Sequence, residues 1–183
     1  MYIARRIARW CRALGHRRGF GVQSPFAYDF VTEVIGQRHP YYLYEDLAKT
    51  FPRLHGSEQR TARLLFRLAN FTQPEEVFFD SRLPEAYRAF TAGGCRKARF
   101  VDAPTGRGLS IVMPDKELLD EALRQASQTS ILVVMPVYEH ARPREEWASL
   151  VGNRHVIQSF DLYRLGIIFF DQRRQKAHYL LNF

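Results

Sequence analysis

The sequence predicts an α/β fold: a mostly parallel sheet with helices on both faces, closed by an antiparallel C-terminal hairpin. Three observations lead there. Short apolar runs at Glu76 to Asp80, Ala98 to Asp102, Leu109 to Met113 and Ile131 to Met135 alternate with stretches of helical period. Two of these runs end in an aspartate, the polar ending expected of a parallel strand at a ligand-binding edge. Residues 156–183 are then strand-like throughout.

Each element has its own local signal. Residues 1–18 read as a basic helix, with Ile3, Ile7, Trp10 and Leu14 at helical spacing among arginines. A glycine-rich break follows. Ser24 and Pro25 then suit the N-cap and first turn of a helix running to about Ile35, which Gly36 and Pro40 end. Residues 41–56 read as an aromatic-rich connector that has room for one helical turn. Ser57 is the expected cap of a helix through Leu64, Leu65 and Leu68 to about Asn70. Pro84 opens a helix that Gly93-Gly94 stops, Asp115 caps another, and Pro143 starts the helix carrying Trp147, Leu150 and Val151. The all-apolar run Ile131 to Met135 reads as a central strand. The final strands are expected at Val156 to Leu162, Gly166 to Phe170 and Ala177 to Phe183, with Asp171 to Lys176 as a hairpin turn.

Composition bounds the rest. A chain of 183 residues suits one structural domain, with residues 1–56 as a helical extension packed on a core at 57–183. At 46% hydrophobic residues, there is enough apolar material to bury a core. No apolar run approaches the length of a transmembrane segment. The only cysteines, Cys11 and Cys95, lie far apart without an export signal, which implies free thiols in a reducing, cytoplasmic compartment. The net charge of +8 makes anionic partners accessible, through Arg5, Arg6, Arg9 and Arg12 in particular. No phosphate-binding, dinucleotide, zincin or hydrolase motif is present. Glu139-His140 are two metal-capable neighbours with no identifiable companions, so no metal site is expected.

Two segments carry a family resemblance. Gly21 to Ile35 (Gly-Val-Gln-Ser-Pro-Phe-Ala-Tyr-Asp-Phe-Val-Thr-Glu-Val-Ile) resembles the N-terminal helical motif of a bacterial O-methyltransferase-like group of class I S-adenosylmethionine-dependent methyltransferases. Phe160 to Phe170, with His178 to Phe183, is similar to that group's last strands. Arg63 to Val77 fits the helix before its first strand. The resemblance implies a shortened Rossmann-like methyltransferase sheet and S-adenosylmethionine as the cofactor, if there is one. Asp80 and Ser81 then match the end of the first strand, and Asp102 the carboxylate that accepts hydrogen bonds from the ribose. These three are the expected cofactor-binding residues, in vestigial form.

Departures from the family pattern decide the functional expectation. The loop Asp80-Ser81-Arg82-Leu83-Pro84 has no glycine where the family needs close approach to the cofactor. Only six residues separate Asp102 from Leu109, too few to contain a parallel crossover, which is expected to need roughly a dozen. Either a βα unit is missing, or these two strands form an antiparallel hairpin. After the fourth strand, Met135-Pro136-Val137 stands where related enzymes place acids. The expectation is a methyltransferase-like protein, non-catalytic, with cofactor binding lost or altered. An active enzyme with an atypical pocket and a basic module for nucleic acid or anionic surfaces are the alternatives.

Overall fold

The computed structural model describes residues 24–137 and 141–183. The basic helix expected over 1–18 and the Glu139-His140 pair lie outside them. Among these residues, helix α1 (Pro25–Asp29) runs on as wider π-helical turns (Phe30–Ile35). It is followed by α2 (Leu43–Thr50), α3 (Gly56–Thr72), β1 (Glu76–Phe79), α4 (Glu85–Gly94), β2 (Arg99–Val101) and β3 (Gly108–Val112). Then come α5 (Lys116–Gln125), β4 (Ile131–Val134), α6 (Ala141–Gly152), β5 (Gln158–Asp161), β6 (Gly166–Phe169) and β7 (Ala177–Leu180).

Most helix boundaries follow the local chemistry. Ser24 Oγ accepts from the Ala27 amide at 3.4 Å and Asp115 Oδ1 from the Leu118 amide at 3.3 Å, as N-caps do. Three expectations needed correction. Helix α6 starts at Ala141, two residues before the Pro143 expected to open it. The connector over 41–56 holds the two-turn helix α2, anchored by buried Tyr44 against Phe66. Helix α3 begins at Gly56, whose φ of 57° turns the chain into the helix one residue early. His55 therefore takes the cap position, without a side-chain bond, and Ser57 sits in the first turn.

The strands form one sheet in the order β2-β1-β3-β4-β6-β5-β7. The first four are mutually parallel, and β4 is central as its uniformly buried residues required. β6 runs antiparallel between β4 and β5. Alternation along the strands separates two cores. Val77, Leu109, Ile111, Val133, Ile167 and Phe169 face α1, α3 and α4. Val112, Leu132, Val134, Ile168 and Phe170 face α5 and α6. Helices thus cover both faces.

Two connections differ from expectation. The antiparallel hairpin is present, but β5 and β6 form it, through the turn at Leu162 to Leu165. The turn at Asp171 to Lys176 instead carries the chain past β5, because β6 already has a neighbour on each edge. β7 therefore adds to the free edge of β5, in parallel. The second difference lies at β2 and β3. They do not form a hairpin; both pair in parallel with β1, on opposite sides. Residues 102–107 therefore make a parallel crossover without a helix. The short length of β2 permits this: the link returns about 10 Å along the sheet and crosses about 10 Å, within the roughly 20 Å reach of six extended residues. Gly108 lets β3 start this close to β1, since a Cβ there would lie 1.9 Å from the Glu76 carbonyl oxygen.

Candidate functional site at the strand tips

Parallel pairing brings the carboxyl ends of β1, β2, β3 and β4 to one edge of the sheet, where an open α/β sheet binds its ligands. Asp80 follows β1 and is only 5% exposed. Its carboxylate is fully engaged. Arg82 Nε donates to Oδ1 at 3.0 Å, Arg82 Nη2 to Oδ2 at 2.7 Å, and the Arg82 amide to Oδ1 at 3.0 Å. The Met113 amide at the end of β3 donates to Oδ2 at 3.1 Å. This is a bidentate fork supplemented by two backbone donors. Burial pushes the carboxyl up. The hydrogen bonds from Arg82 and Met113, with the Arg82 charge, outweigh it and hold the group below its ordinary value.

Arg82 also reaches Asp115, with Nη1 at 3.5 Å from Oδ2. Its guanidinium thus spans the tips of β1 and β3. Ser81 is exposed in the turn between Asp80 and Arg82. Asp102 follows β2, next to β1, and is exposed. The structure therefore brings Asp80, Ser81 and Asp102 to adjacent strand tips. Arg82 and the Met113 amide, which sequence reasoning did not assign to the site, occupy the Asp80 oxygens. The signal for Arg82 was its position two residues after the acid, where a bend folds the side chain back.

The tip of β4 is apolar. Met135 is 6% exposed and Val137 is fully buried, packed with Trp147, Leu150 and Val156. Trp147 lies against Gly166, where a Cβ would fall 2.2 Å from the indole ring, and its Nε1 donates to Asp161 Oδ2 at 3.3 Å. Among the described residues no group of acids, histidines and cysteines is placed to hold a metal ion. Cys95 is buried and donates to the Thr91 carbonyl at 3.2 Å, and burial pushes its thiol up to about 11. That makes it a poor nucleophile at neutral pH.

Two cavities lie elsewhere. One, of about 1370 Å³, opens between the π-helical turns after α1, helix α3 and residues 181–183. The other, of about 760 Å³, lies at the opposite sheet edge, among residues of α5 and the segments flanking β4, β5 and β6. Neither is lined by Asp80, Ser81 or Asp102.

A seven-stranded sheet in which a single strand, β6, runs antiparallel between β4 and β5, covered on both faces, defines the class: the chain has the class I S-adenosylmethionine-dependent methyltransferase fold. The methyltransferase PaMTH1 from Podospora anserina, determined with S-adenosylhomocysteine bound, superposes with a TM-score of 0.52 at 9% identity. The match covers 81% of this chain and 96% of that one. The O-methyltransferase TomG from Streptomyces achromogenes, in complex with S-adenosylmethionine, gives a TM-score of 0.48 at 14% identity, over 79% of this chain and 96% of that one. No family model matches the chain, and no curated protein sequence matches it. No described helix is long and apolar enough to cross a membrane.

Proposed function

We propose that this is a methyltransferase-fold protein that has lost S-adenosylmethionine binding at its strand tips, is non-catalytic, and works by binding through its surface. One observation carries the reading: both oxygens of Asp80 are satisfied from within the chain, by the Arg82 fork and the Met113 amide. A nucleoside cofactor at this edge would have to displace Arg82 from a buried carboxylate, leaving that charge without its partner. Three features reinforce it. The loop after β1 has no glycine, the tip of β4 is filled by Met135 and Val137, and no helix intervenes between β2 and β3. The residues present do not fit the cofactor, so no chemical step is assigned to it.

Isothermal titration of the full chain with S-adenosylmethionine and S-adenosylhomocysteine tests the proposal. No saturable heat is expected with either. A micromolar dissociation constant would refute it. Loss of that binding in Asp102→Ala, together with methyl transfer to an acceptor by the wild type, would then establish the alternative, an active methyltransferase with an atypical pocket in which Asp80 and Asp102 hold the donor.

A further inference from the structure

The larger cavity differs in kind from the strand tips. Its described lining includes Arg38 and His39 from the loop after α1, and Arg60, Arg63 and Arg67 from α3. The last three recur at i, i+3 and i+7, which places them on one helix face. Among the described lining residues, the single acidic side chain is Glu33.

Arg67 is only 6% exposed. Its Nε donates to the Val34 carbonyl at 2.6 Å and its Nη2 lies 3.5 Å from the Ile35 carbonyl, at the end of the π-helical turns. These bonds fix the guanidinium but do not neutralise it; no salt bridge to Arg67 exists among the described residues. Residues 1–23 contain no aspartate or glutamate. Arg63 is half-buried, with its guanidinium 5.1 Å from the centre of the Tyr44 ring. Its Nε is buried without an acceptor. A buried cation is costly unless paired, and a buried donor without an acceptor adds to that cost. Unpaired arginines converging on one cavity therefore describe the complement of an anion.

We infer that this cavity binds a small molecule carrying phosphate groups. Arginine matches phosphate through paired N–H donors, and several arginines spread over two elements suit more than one charged group. A volume of about 1370 Å³, with Val31, Ile35 and Leu181 in the lining, leaves room for an apolar body beside the anionic end.

The test uses the full chain and inorganic pyrophosphate as probe, with binding followed by calorimetry at fixed salt. Residues 1–18 carry six arginines, which attract polyanions by themselves. The decisive result is therefore the comparison between variants. Saturable binding that weakens about tenfold in Arg63→Gln and in Arg60→Gln, while Arg154→Gln on another surface retains wild-type affinity, is the expected outcome. Arg60→Gln, exposed on α3, keeps the test valid if the Arg63 variant folds poorly. The proposal is overturned by absence of saturable binding to the wild type, or by equal affinity in all three variants. A second arm uses phosphatidylcholine vesicles doped with phosphatidylglycerol. Capture that is lost in the same cavity variants would place the phosphate on a lipid headgroup rather than on a free molecule.

Discussion

Arginine does opposite things in two regions of this molecule. At the strand tips Arg82 is paired, with a fork on Asp80 and a longer contact to Asp115. On α3, Arg60, Arg63 and Arg67 face a large cavity with no salt bridge among the described residues. The difference lies in the neighbouring residues. Asp80 stands two positions before Arg82, so the partner arrives by local chain geometry. The α3 arginines face backbone carbonyls and an aromatic ring, which accept hydrogen bonds or stack but leave the charge unbalanced.

The comparison can be pressed from its strongest point to its weakest. Trp147, 4% exposed, fills the space beside the β4 tip. Trp147→Ala should lower unfolding free energy by about 3–5 kcal/mol in urea titrations. Asp80→Ala should cost about 2–3 kcal/mol in the same assay, since it strands the Met113 amide and the Arg82 fork. Acid offers a gentler route to that pair. The folded Asp80 carboxyl lies below its ordinary value of 3.8, so its contribution is present above that pH and is lost as pH falls through the folded value. Asp80→Asn should accordingly flatten the stability–pH curve below about pH 4, measured by thermal unfolding, relative to the wild type. The smallest contrast is the most pointed. Arg82→Gln should cost about 1 kcal/mol, discounted because the side chain is half exposed, whereas Arg60→Gln should stay within about 0.5 kcal/mol. Equal costs would remove the distinction between a paired and an unpaired arginine.

Much of the fold was legible in the chain. Apolar runs of five residues located β1 to β4, Ser24 and Asp115 marked helix starts through side-chain caps, and Pro84 marked one through its fixed backbone. What was hidden depends on distant partners. The position of β7 beside β5 follows from which sheet edges are already filled, not from the turn at Asp171 to Lys176. The helix-free crossover between β2 and β3 depends on how short β2 is and on Gly108 meeting the Glu76 carbonyl. At the site, sequence showed that Asp80 lacked glycine neighbours, but not that Arg82 and the Met113 amide would consume its oxygens. Nothing in the sequence singled out the α3 arginines, because the cavity they line is completed by the turns after α1 and by residues 181–183, far away in the chain.

Amide chemical shifts of the isotope-labelled full chain, recorded during titration with S-adenosylhomocysteine, probe the strand tips residue by residue. The account predicts that the signals of Asp80, Ser81, Arg82 and Asp102 stay where they are up to millimolar ligand. Saturable movement of those four resonances, with Arg82 released from Asp80, would contradict it.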